Sequence, residues 1–282
     1  MAGSIKEVYP NAPLKVVAAE LRYPFLPRVL TPAIMSEFSD RVERHLPVGA
    51  SAEGLTVQIR PESGPEVSTP SRIRFSSRDS TTVATLSSES LILETSTYER
   101  FQSFRDLLSL VGRTLLEVAR PIGLLRVGLR YIDEIRVPGI VEPPEWEGYV
   151  NPILLGPPTI ASQLHGFNAM TWEGTVHYAG PDNTSLRFRF GSRWGRVVTP
   201  SGPLRFPPSK VEESEPNAPL FLLDLDSFWT AMSDPEEFDS ERLGKLFDGL
   251  HAPTRALFES AITDKLRNEV LRKEVRIAHA EL

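Results

Sequence analysis

The chain's 282 residues are 40% hydrophobic and 24% charged, which is ordinary for a globular protein and long enough for one large domain or two smaller ones. Without a single cysteine it has no disulfide framework, no thiolate metal site and no cysteine nucleophile, and a formal net charge of −6 argues against a general polyanion binder. No apolar run approaches the roughly 18 residues of a membrane span, and MAGSIKEVYPNAP lacks the apolar core of a signal peptide, so the expectation is a cytoplasmic protein with no membrane contact.

In chain order, LKVVAAELRY reads as a strand opened by proline, where the missing N–H does least harm. Thr31-Pro32 supplies an N-cap and a first helical residue for AIMSEFSDRVERHL. LTVQIR, SRIRFSS, TTVATL and SLILET follow as short strands of an antiparallel meander. Ser96-Thr97-Tyr98-Glu99 matches a capping box before a helix whose apolar stripe runs through Phe101, Phe104, Leu108 and Leu115 and which Pro121 ends. LLRVGLRYIDEIRV is a long strand with Val127, Leu129, Tyr131, Asp133 and Ile135 on one face. Its Gly128 predicts a bulge or a close approach by another backbone.

A proline-rich stretch then leads to a hairpin, AMTWEGTVHYAG and SLRFRFGSRW around the turn PDNT. A second connector leads to the strand LFLLDLDSF. Ser233-Asp234-Pro235-Glu236-Glu237 predicts a helix cap, and HAPTRALFESAITDKLRNEVLRKEV a long charged C-terminal helix. The pentapeptide PNAPL occurs twice, at Pro10–Leu14 and Pro216–Leu220, and opens a strand each time. The expected fold is α+β, a curved and largely antiparallel sheet backed by helices and built of two pseudo-related halves. The halves are residues 1–137 and 161–282, with 138–160 as connector.

Several landmarks resemble an uncharacterised, sporadically distributed bacterial protein family. They are Asn11-Ala12-Pro13-Leu14 with Glu20-Leu21-Arg22-Tyr23, Arg126-Val127-Gly128-Leu129-Arg130-Tyr131-Ile132-Asp133, Tyr149-Val150-Asn151-Pro152, Leu223-Asp224-Leu225-Asp226, and Leu250-His251 followed by Phe258 and Ile262-Thr263-Asp264-Lys265-Leu266. Asp133 departs from the family pattern, which has Asn there. The resemblance implies patchy occurrence, compatible with toxin–antitoxin or phage-defence loci, and no established activity.

Charge is distributed unevenly. Of the basic residues 25 are Arg and six Lys, a bias that a GC-rich genome also produces, and Val211–Asp264 holds thirteen acidic residues against three basic ones. Period-two geometry puts Arg72, Arg74 and Arg78 on one strand face, Arg126, Arg130 and Arg136 on another with Glu134 among them, and Arg187, Arg189 and Arg193 on a third. In one sheet these nine guanidinium groups would line a surface able to grip phosphate or carboxylate. The alternative is a solvated face with arginines paired to Glu94, Glu134 or Glu173.

Asp224 and Asp226 share a strand face, the pattern of a Mg²⁺-binding pair or of a wet strand end. None of the five histidines has ligand spacing; His251, beside Pro253, is either a base paired with Asp264 or Glu259 or a structural residue at a helix junction. No phosphate-binding glycine loop, dinucleotide fingerprint or nucleophile elbow appears, so no cofactor is expected. Three classes of function follow. The first is a non-catalytic recognition or regulatory protein with a protein partner. The second is a binder of nucleic acid or of an anionic, phosphorylated ligand through the arginines. The third is a metal-dependent enzyme using Asp224 and Asp226.

Overall fold

The computed structural model describes residues 7–53, 56–60, 64–68, 71–141, 145–156, 165–167, 169–195 and 218–273, and over 50–71 the backbone alone. Nine strands form one open antiparallel sheet, in the order β2-β5-β6-β7-β1-β8-β11-β10-β9. The strands are β1 (Leu14–Arg22), β2 (Val48–Glu53), β5 (Ser71–Ser76), β6 (Thr82–Leu86), β7 (Ser90–Thr95), β8 (Arg126–Ile135), β9 (Trp172–Ala179), β10 (Thr184–Trp194) and β11 (Pro219–Thr230). LTVQIR does form a strand, β3 (Thr56–Arg60), but among the described residues its partner is β4 (Gly64–Ser68) in a separate ribbon. The expected meander therefore shortens to β5-β6-β7, with β2, which the sequence reading had missed, on its edge.

The sheet is apolar on one face because odd positions of β1 and β8 carry Val17, Ala19, Leu21, Val127 and Leu129, all buried. Three helices cover that face: α1 (Pro32–Val42), α2 (Phe101–Val118) and α3 (Ser240–Ala261). Phe104, Leu108, Val111 and Leu115 of α2, spaced at helical intervals, and Leu243, Phe247 and Leu250 of α3 complete one core. Gly112 lets the two helices close up, since a Cβ there would stand 2.9 Å from Leu243. Arg105 on α2 donates to both oxygens of Asp248 on α3, at 2.6 and 2.8 Å.

The predicted helix ends shift. Thr31 and Pro32 do open α1, with the Thr31 hydroxyl turned to the Arg28 carbonyl rather than capping. Ser96 is no cap, because its hydroxyl reaches the Thr81 carbonyl, and α2 starts only after Arg100. Asp239, not Ser233, caps α3, accepting from the Arg242 N–H at 2.7 Å, while Glu236 forms a β-bridge with Leu124. The helix passes through Pro253 and stops at Ala261, so the C-terminal segment is not one helix. Ile262 turns extended to bridge Val150, and Thr263 caps a further short turn.

Both strands that follow PNAPL flank β8 and run antiparallel to it, β1 on one side and β11 on the other. In the first copy, the Asn11 N–H donates to the Leu271 carbonyl and its side chain to that of Val270, while the Pro13 carbonyl accepts from Glu134. In the second, Pro216 and Asn217 lie outside the described residues. The proline-rich stretch is anchored at Trp146, which is fully buried and whose indole donates to Ser192 at 2.7 Å. The PDNT turn brings β9 and β10 together with positive φ at both Asp182 and Asn183, as a two-residue hairpin requires. No described helix is long and apolar enough to cross a membrane.

Candidate functional site

The face away from the helices carries the arginines. Direct cross-strand partners run from Arg74 through Thr85, Ile92, Glu20, Gly128 and Phe228 to Ser185, so Arg72, Arg74, Arg126, Arg130, Arg187, Arg189 and Arg193 share one face of one sheet. Arg136, just past β8, joins them, whereas Arg78 lies in the turn beyond β5 and does not. The surface is not continuous. Arg72 and Arg74 on β5 stand four strands from β8, roughly 19 Å away at ~4.8 Å per strand.

The larger group is interleaved with carboxylates. Arg130 holds Asp224 through two parallel bonds of 2.7 and 2.6 Å, and Arg189 reaches the same carboxylate from β10 at 2.8 Å. Arg126 lies between Glu20 on β1 and Asp226 on β11, with 3.0 and 3.2 Å to the latter, and stacks on Phe228 at 4.6 Å. Arg136 pairs with Glu134 at 2.5 Å and Arg193 with Glu173 at 3.5 Å, both carboxylates expected from sequence as partners. Gly128 is explained by Arg126 rather than by a bulge or a neighbouring backbone: the guanidinium fills the space where a Cβ would stand.

Asp224 and Asp226 therefore face guanidinium groups. Among the described residues no group of three His, Asp or Glu side chains converges as a metal site. Arg187 is exposed, approaches the Phe228 ring at 6.0 Å and makes no ion pair among the described residues. A face so neutralised offers few free charges to a polyanion.

The apolar side holds a different arrangement. Between β8, the loop entering α2, α3 and the N-terminal arm lies a cleft of about 940 Å³. Tyr131 points into it from β8 and shares a hydrogen bond of 2.9 Å with His251 Nδ1 on α3. The His251 ring stacks on Phe101 at 3.8 Å and 7°, and Tyr98 meets Tyr131 edge-on at 5.9 Å. Asp264 and Glu259, the partners considered for His251, both bind Arg267.

Asp133 lines the same cleft, two residues beyond Tyr131 on the strand face that the core occupies. It is 4% exposed, and among the described residues no group donates a hydrogen bond to its carboxyl. Burial raises its pKa from 3.8 to about 8; the Asp224 charge on the other side of the sheet adds to the rise and Arg255 opposes it. Burial likewise pushes the Tyr98 phenol up to about 12, and Tyr131 well above its ordinary value.

Asp133 was not singled out as a site residue from sequence. Its signal was there, a carboxylate at an inward position between Tyr131 and Ile135. A larger cavity of about 1100 Å³ lies between the hairpin and α3, but the basic groups that line it are spent, Arg242 on Glu236 and Lys245 on Glu241. The smaller cleft is the one in which Tyr131 and His251 share a hydrogen bond beside the buried Asp133. Compared with known protein families, with curated proteins and with solved structures, the chain has no match.

Proposed function

We propose that the chain is a non-catalytic recognition protein that receives its ligand in the cleft formed by Tyr98, Phe101, Tyr131, Asp133 and His251. The observation that carries this reading is the buried Asp133 carboxyl, to which no described group donates a hydrogen bond, in a cleft that the rings of Tyr9, Tyr98, Phe101, Tyr131 and His251 help to line. A buried polar group without a partner costs about 1–3 kcal/mol, and a ligand that satisfies it recovers that cost. The arginine face supports the nucleic-acid reading less well, because Glu20, Asp224 and Asp226 occupy its guanidinium groups. The same carboxylates, so engaged, give the metal-dependent enzyme little support.

Some of the landmarks that resemble the sporadic bacterial family serve as joints, while Tyr131, Asp133 and His251 line the cleft. Asn151 accepts from the Ile153 N–H and donates to the Ser260 carbonyl, and Thr263 donates to Gly148 and Tyr149. In this reading β1 and β11 are equivalent strands of two related halves, and a defence or toxin–antitoxin locus is the setting to search first for the partner.

The test is thermal stabilisation by a panel of amines, carboxylates, nucleotides and short peptides. A bound ligand raises stability in proportion to the logarithm of its concentration. Compounds that stabilise the wild type and the Arg187→Ala/Arg189→Ala protein, but not Gln102→Trp at the cleft mouth, would support the cleft. The reverse pattern would move the function to the arginine face.

A further inference from the structure

The chemistry of the cleft narrows the class of ligand, an inference that rests on the cleft reading above. Asp133 presents a carboxyl with two bare oxygens at a depth that solvent barely reaches. A neutral hydroxyl would satisfy one oxygen and leave a buried charge. A guanidinium or alkylammonium group satisfies the oxygens and neutralises the charge together, and the guanidinium fork does so through two parallel bonds. The walls suit the same group, because cations are attracted to the faces of aromatic rings. Phe101, Tyr98 and Tyr9 all line the cleft.

Of the two arginines that line the cleft, Arg100 donates to the Ser103 hydroxyl at 3.3 Å, and Arg255 is already committed. It pairs with Glu259 at 2.5 Å, donates to the Glu7 carbonyl at 2.8 Å and sits 5.6 Å from the Tyr9 ring. Of the carboxylates on the rim, Glu7 is held by Arg272 at 2.6 and 2.8 Å, and Glu99 is followed by Arg100. We propose that the cleft binds an organic cation, a guanidinium or ammonium head on an apolar or aromatic body, with Asp133 as its counter-ion and the rings of Tyr98 and Phe101 as its walls.

The groups facing Asp133 are Tyr131 on its own strand, Tyr98 at the entry to α2, His251 and Arg255 on α3, and Asp224 across the sheet. Both phenols stay protonated to high pH, and the Asp133 variant separates the carboxyl from the other groups of the cleft.

The experiment measures binding of benzylguanidinium and of its neutral isostere benzylurea by calorimetry between pH 6.5 and 8.5. Wild type and Asp133→Asn are compared. Because only the ionised carboxyl is competent, benzylguanidinium affinity for the wild type is expected to rise roughly tenfold or more over this range, and at pH 8.5 to exceed that of benzylurea by a similar factor. Asp133→Asn should remove both differences.

A pH slope that survives in Asp133→Asn would belong to another group and overturn the assignment. A flat profile in the wild type would overturn it without any variant. Equal binding of the two probes, blocked by Gln102→Trp, would leave the cleft reading standing and remove the counter-ion. Binding of neither probe would overturn both.

Discussion

Arg130 on β8 grips Asp224 on β11 with two parallel hydrogen bonds, and the pair is almost out of solvent, with side-chain exposures of 12% and 3%. Removing one member of such a pair strands the other. Asp224→Ala is therefore expected to cost about 3–5 kcal/mol, read from urea unfolding. Exchanging both members for apolar residues of like volume, Arg130→Met with Asp224→Leu, should cost far less. A loss from Asp224→Ala below about 1 kcal/mol would mean that the pair behaves as a surface ion pair.

Gly128 and Arg126 form one unit, since the guanidinium lies over the glycine to reach Glu20 and Asp226. Gly128→Ala should displace it and cost about 1–2 kcal/mol. In the background of Arg126→Ala the same substitution should cost almost nothing. A double-mutant cycle measures this directly, and additive losses would show that the two residues act independently.

Asp133 predicts the pH profile of stability. Its carboxyl titrates at about 8 in the folded chain against 3.8 when exposed, so between these values the folded state holds more protons than the unfolded one. The contribution is full below pH 4 and is lost progressively until pH rises through about 8. Asp133→Asn should flatten this part of the profile and be more stable than the wild type at pH 8.5, a comparison for urea melts at pH 5 and pH 8.5. The wild type remaining the more stable protein at pH 8.5 would contradict a buried, unpartnered carboxylate.

Gly191 allows β9 to lie against β10. A Cβ there would collide with the Trp172 carbonyl oxygen and come within 2.9 Å of the Glu173 Cα, both backbone groups that cannot swing away. Gly191→Ala should loosen the outer hairpin by about 1–3 kcal/mol. Hydrogen exchange should rise at the amides that pair β9 with β10 while those of β1 and β8 stay protected.

The strands were the most legible elements, because alternation is local. Val127, Leu129 and Tyr131 announce a buried face whatever lies beside them. The helix caps were less legible. Ser96 has the residue type and spacing of a cap, but its hydroxyl is taken by the Thr81 carbonyl of the neighbouring turn. The Asp224-Leu225-Asp226 pattern had two readings because its counter-charges are remote, Arg130 lying 94 residues away and Arg189 lying 35.

The sequence by itself determined which side of each central strand is apolar, that the arginines share faces, and that cysteine chemistry is closed to the chain. These follow from residue identity and the two-residue period, which need no partner strand. Only the tertiary structure decided that guanidinium and carboxylate groups interleave, and that Tyr98, Tyr131, Asp133 and His251 meet in one cleft. Strand register and helix docking set those meetings, and desolvation there makes Asp133 a weak acid. Both are properties of chain segments far apart in sequence, brought together to bury a shared core.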